Sequence, residues 1–84
     1  MRAEIIGTNL PRGRAIALTE DGEYVLIELF TDEPELHDKV IGNFDEHPLG
    51  DAILRNVTSS SKMEVYIQDY CNKQIAEEYL KGLR

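Results

Sequence analysis

The stretch "GRAIALTEDGEYVLIELF", residues 13 to 30, constrains the fold more than any other part of the chain. Two apolar runs flank Asp21 and Gly22, a dipeptide that suits a two-residue hairpin turn because glycine adopts positive φ without steric cost. With those two residues in the loop, Leu18 faces Val25 and Ile16 faces Ile27, while Thr19 faces Tyr24 and Ala17 faces Leu26. One face is then aliphatic throughout, and a slip of one residue would lose that match. An isolated hairpin is marginal in water, so the remaining residues must complete a sheet around it.

Four further segments supply strands. "EIIG" precedes the hairpin, and "KVIGNF", 39 to 44, follows it. Gly7 in the first and Gly42 in the second mark a bulge or bend where backbones approach closely. "AILRNV" and "MEVYIQDY" flank the polar loop "TSSSK" and read as a second hairpin, with Val57 opposite Met63, Ile53 opposite Ile67, and Leu54 beside Tyr66 on the other face. Between the hairpins, "TDEPELHD", 31 to 38, reads as a connection with one helical turn, capped by Asp32 and with Pro34 at an early helical position.

After Cys71 the apolar period changes from two to a helical one, through Ile75, Ala76, Tyr79, Leu80 and Leu83. Asn72 is the expected cap, Glu77 and Lys81 form an i, i+4 pair, and Gly82 ends the helix. The 84 residues therefore make one domain, mainly β. A small, curled, five- to six-stranded antiparallel barrel occupies residues 1 to 70, and a C-terminal α-helix over 72 to 82 plugs an open end.

The order of these elements, carried by "GRAIALTEDGEYVLIELF", "HDKVIGNF" and "MEVYIQDY", resembles the oligonucleotide/oligosaccharide-binding (OB) fold and the related SH3-like small barrels. The resemblance spans roughly residues 2 to 70 and is one of pattern. It implies a ligand-binding sheet face, which in OB-like domains often holds single-stranded nucleic acid on aromatic and basic residues.

Charge is divided unevenly along the chain. Residues 15 to 51 hold eleven acids against Lys39 alone, a net of −10, whereas residues 1 to 14 carry +2 and residues 52 to 84 carry +1. Such asymmetry concerns partners and solubility rather than fold. The single cysteine, Cys71, forms no internal disulfide, no apolar run approaches the ~20 residues of a spanning helix, and no secretory leader is recognisable. A soluble, cytoplasmic chain is the expectation, with no membrane partner.

The densest group of chemically capable side chains lies in "GNFDEHPLGD", 42 to 51. His37, Asp45 and His47 are the metal-ligand candidates, but their spacing matches neither an EF-hand loop nor a helical zinc motif. A turn explains the stretch more economically: Pro48 at its second position, His47 pushed to extended geometry, and Gly50 at its fourth. No cofactor is implied. Cys71 has no histidine placed beside it by a recognisable signature, and the serines at 59 to 61 lack an elbow or base, so the chain reads as non-enzymatic.

Three binding readings remain. The leading one is a protein-interaction module or accessory subunit that docks a protein partner or self-associates through hairpin edges, loops or the helix. A second binds single-stranded nucleic acid through Arg12, Arg14, Tyr24, Arg55 and Tyr66, although a net charge of −7 opposes the phosphate contacts that dominate such affinity. In the third, Glu20, Asp21, Glu23, Asp32, Glu33, Glu35, Asp45 and Glu46 form an acidic surface that mimics nucleic acid and inhibits a basic partner. The nucleic-acid reading requires its arginines and tyrosines to converge on one face.

Overall fold

The computed structural model describes all 84 residues. Six strands run in the order β1 (Arg2–Asn9), β2 (Arg14–Thr19), β3 (Tyr24–Leu29), β4 (Lys39–Ile41), β5 (Gly50–Asn56) and β6 (Ser61–Cys71), followed by one helix, α1 (Lys73–Leu80). They close into a barrel, β1-β2-β3-β6-β5-β4, with every neighbouring pair antiparallel. The chain thus takes the larger of the two expected strand counts. Two three-stranded meanders meet edge to edge, β1 against β4 and β3 against β6, leaving no free edge. No helix is long and apolar enough to cross a membrane.

Inward positions alternate along every strand and form one core. Ala3, Ile5, Ala15, Ala17, Val25, Ile27, Val40, Leu54, Met63, Val65 and Ile67 belong to it, together with Phe44 from the loop after β4. Phe44 is the bulkiest of the fully buried side chains. The expected plug of the barrel is therefore a loop phenylalanine and not the helix. The helix instead lies outside, over β1, β2 and β3, where Ala76 and Tyr79 pack on Ile16 and Leu26 with Ile6, Tyr24, Ile75 and Leu80 around them.

That placement corrects the register of the first hairpin. Ala17 pairs with Val25 and Ile16 with Leu26, one residue away from the expected match. The loop has three residues, Glu20 to Gly22: the Gly22 amide donates to the Thr19 carbonyl, the Thr19 amide to the Glu23 carbonyl, and Gly22 sits at φ +85°. Both faces of this hairpin are apolar because one lines the barrel and the other lies beneath the helix. Alternation alone could not distinguish them.

The second hairpin is also re-registered. Leu54 faces Met63, Ile53 faces Glu64 and Asn56 faces Ser61, so Leu54 is buried and Ile53 points outward, the reverse of the expectation. A four-residue turn, Val57 to Ser60, replaces the five-residue loop. Asn56 shapes it, accepting at Oδ1 from the amides of Thr58 and Ser59 at 3.0 and 3.1 Å.

Residues 31 to 38 contain no helical turn. A tight turn over Glu35 to Asp38 takes its place, with His37 at φ +73° and the Asp38 carboxylate accepting from the Glu35 amide at 3.0 Å. Other local expectations hold. The β1–β2 register shifts between Ile5 and Gly7, Asn72 caps α1 by accepting from the Ile75 amide at 3.0 Å, and Gly82 ends it at φ +81°. The amides of Gly82 and Leu83 return to the carbonyls of Tyr79 and Glu78, which completes a glycine-terminated helix end. Glu77 makes no ion pair with Lys81; Glu78 pairs instead with Arg84 Nε at 2.5 Å.

Candidate interaction surface

The loop 42 to 49 turns earlier than its proline suggests. The His47 amide donates to the Phe44 carbonyl, which puts Asp45 and Glu46 at the centre of the turn, and His47 lies at φ +52° rather than in extended geometry. His47 Nε2 is 2.6 Å from Glu23 Oε1, and its ring meets Tyr70 edge-on at 4.7 Å. Tyr70 in turn donates its hydroxyl to the Pro48 carbonyl at 3.0 Å. These contacts fasten the loop to the start of β3 and the end of β6, and they hold Phe44 in the core.

His37 belongs to the opposite end of the barrel, in the loop between β3 and β4. Its Nδ1 lies 2.7 Å from Glu4 Oε2, while Lys39 Nζ reaches Glu4 Oε1 at 2.5 Å. Those two contacts, Lys39 foremost, hold the Glu4 carboxyl below its usual range. The metal candidates His37, Asp45 and His47 are thus not brought together, and no three His, Cys, Asp or Glu side chains form a group able to hold an ion. At Cys71, burial and then the Asp69 charge push the thiol up, away from the thiolate a nucleophile requires.

The acidic set divides in two. Glu20, Asp21 and Glu23 occupy the β2–β3 turn and meet Asp45 and Glu46 through the His47–Glu23 contact. Asp32, Glu33 and Glu35 lie at the other end, beside the β5–β6 turn. The basic and aromatic set is likewise dispersed. Arg14 donates to the carbonyls of Tyr79 and Arg84, at the C-terminal end of α1, and Arg12 lies against Gly82 in the same place. Tyr24 packs beneath the helix; Tyr66 shares a cross-strand row with Glu28 and Arg14, and Arg55 lies one strand further on, across from Lys62, so the five side chains do not share one open face. The convergence that the nucleic-acid reading requires is absent.

The outer face of β5 and β6, with the ends of β3 and β4, has no helix packed over it. Strand pairing arranges it in three rows across the sheet. Glu28, Tyr66 and Asp51 form the first. Phe30, whose amide donates to the Glu64 carbonyl, lies with Glu64 and Ile53 in the second, and Lys62, Arg55 and Ile41 form the third. Ile53, on β5, is 66% exposed, and Phe30, in the bend that follows β3, is 53% exposed. Phe30 and Ile53 border a shallow depression with Asp51 and Glu64, and Ile53 borders a second with Arg55 and Lys62. None of the four ion pairs of the chain involves Asp51, Arg55, Lys62 or Glu64.

Sequence reasoning named Arg55 and Tyr66 only as members of a nucleic-acid face with Arg12, Arg14 and Tyr24, and it named none of Phe30, Asp51, Ile53 and Glu64 as a surface residue. The signal that would have found them is Asn56, a turn-forming residue at the end of a strand, which sets a four-residue loop and turns Ile53 outward. Comparison of the chain with protein-family models, with curated proteins and with solved structures finds no match.

Proposed function

We propose that this chain is a non-enzymatic protein-interaction module, built on a small barrel of OB-like or SH3-like kind, that docks a protein partner through the outer face of β5 and β6. The observation that carries this reading is the exposure of Ile53, on β5, and of Phe30, just past the end of β3, on either side of Glu64, with nothing packed over them. The chain's one helix covers the other side of the barrel, where it hides Ile16 and Leu26. Two exposed apolar side chains interspersed with charges of both signs that make no ion pair suit a protein surface, in which apolar contacts supply affinity and charges supply orientation. Phosphate backbones would meet Glu28, Asp51 and Glu64 there, which weighs against nucleic acid.

The test is capture of partners from the native host with immobilised wild type, Ile53→Asp and Leu83→Asp. Leu83 is exposed beyond the helix, away from the proposed face. A partner retained by wild type and by Leu83→Asp, but lost by Ile53→Asp, supports the reading. Retention that ignores Ile53, or no specific retention at all, overturns it.

A further inference from the structure

The three rows of the open face carry a charge order that makes it complementary to itself. Acids occupy the first row at Glu28 and Asp51, with Tyr66 between them; Phe30 and Ile53 flank Glu64 in the second; Lys62 and Arg55 occupy the third, with Ile41 beyond them. We infer that the partner of this face is a second copy of the chain, related by a two-fold axis that runs along the middle row. The inference rests on the docking role proposed above and specifies its occupant. Rotation about that axis lays Ile53 on Ile53 and Phe30 on Phe30, and it exchanges the first and third rows. Arg55 of each copy then meets Asp51 of the other, and Lys62 meets the Tyr66 ring, where a cation is favourably placed over a π face.

An axis across the strands is the one that works. A two-fold along the strand direction would put Arg55 and Lys62 against their own kind, and like charges across an interface exclude such a pairing. Residues two apart on a strand are separated by ~6.6 Å, so Asp51, Arg55 and Lys62 stand one such step away from Ile53 and Phe30. The arrangement has one cost, since Glu64 lies in the middle row and meets its own copy. A face this narrow also lies at the small end of stable interfaces, so the dimer dissociates on dilution.

Sedimentation velocity on the purified full chain tests this. Wild type should pass from monomer to dimer as concentration rises, and Ile53→Asp should stay monomeric. Asp51→Arg and Arg55→Asp should each weaken self-association about tenfold or more, because each creates two like-charge pairs in the dimer. Mixed together, those two variants should form a heterodimer: the arginine introduced in one copy meets the aspartate introduced in the other, while the native Arg55 of the first meets the native Asp51 of the second. Glu64→Gln removes the repulsion on the axis and should tighten the dimer.

A wild type that remains monomeric at every concentration overturns the inference, as does a mixture of the two charge variants that stays monomeric. A dimer indifferent to Ile53→Asp, or one that Glu64→Gln leaves unchanged or weaker, overturns the axis and with it the inference. Failure here is separable from failure of the docking role. A monomeric wild type that still captures a host protein through Ile53 rejects the second copy and keeps the module.

Discussion

The Arg14 guanidinium lies over the ring of Tyr79, 4.4 Å from its centroid, and its Nη1 donates to the Tyr79 carbonyl at 2.7 Å. One side chain of the barrel thereby holds the last turn of the helix by its ring and by its backbone. The position suits a cation, because the final carbonyls of a helix carry partial negative charge and lack intrahelical donors. Asn9 assists, donating from Nδ2 to the Leu80 carbonyl at 2.7 Å. The Tyr79 hydroxyl in turn donates to the Ile27 carbonyl at 3.1 Å, so the ring is fixed at both ends.

Arg14→Ala should therefore destabilise the chain by about 1–2 kcal/mol, the scale of a partly desolvated cation–π contact and its hydrogen bonds. Arg14→Lys keeps the charge but loses the planar fork and should fall between. Urea denaturation gives the energies. Hydrogen exchange of the amides of residues 79 to 83 should quicken in the alanine variant, while those of β5 and β6 hold; uniform quickening would contradict a local clamp.

Two glycines of the barrel should respond differently to alanine. A Cβ on Gly42 would strike Leu54 Cδ2 and come within 3.1 Å of the Phe44 ring, and both neighbours are fully buried. A Cβ on Gly7 would meet Leu80 Cδ2 at 2.7 Å, the end of a half-buried side chain that has room to turn. Overpacking should cost Gly42→Ala about 1–3 kcal/mol. Gly7→Ala should cost about 1 kcal/mol or less, taken up by movement of Leu80. Urea midpoints of the two variants check the order, and equal losses would contradict it.

The same two glycines show what the sequence made legible. Strand number, the bulge at Gly7, the close approach at Gly42, the Asn72 cap and the Gly82 stop are all local signals, set by a residue's own conformational needs. Register was not legible, for two physical reasons. Ile16, Leu26 and Tyr24 are apolar because the helix covers them, so the β2–β3 hairpin has no polar face to fix its phase. At β5, the phase depends on Asn56, whose side chain organises the turn through hydrogen bonds that no apolar pattern reveals. The open face followed from that phase. Ile53 and Leu54 are adjacent and alike, and only the turn decides which of them enters the core.

Glu4 should give the chain a local dependence on pH. Lys39 first, and His37 after it, hold its carboxyl below the usual carboxylate range in the folded state. A carboxyl depressed by folding adds stability above its unfolded pKa, and that stability is lost as pH falls through the folded value. Wild type should thus exceed Glu4→Gln in urea midpoint at neutral pH, with the two converging as the solution is acidified through the carboxylate range. Because Glu4 and both partners reach solvent, the difference should also shrink with added salt. A gap that persists in acid would assign the effect to something other than these ion pairs.

Asn56 and Asp38 form the buried polar pair of the fold. Asp38 Oδ2 accepts from Asn56 Nδ2 at 2.7 Å and from the Glu35 amide at 3.0 Å, while Asn56 Oδ1 serves the β5–β6 turn. Asn56→Asp keeps the acceptor for the turn but sets a second carboxylate within hydrogen-bond distance of the largely buried Asp38, where like charges so close force one of the two to take up a proton. The variant should lose about 3 kcal/mol at neutral pH, the scale of an uncompensated buried charge. Because its folded state then holds a proton that the unfolded chain releases, its deficit should shrink as pH falls into the carboxylate range. Asn56→Ala also removes the donor to Asp38 but adds no carboxylate, so its deficit should vary less with pH. Urea denaturation of wild type and both variants at neutral and acid pH separates the two cases: an Asn56→Asp deficit that does not shrink in acid would mean that Asp38 and residue 56 do not share a site.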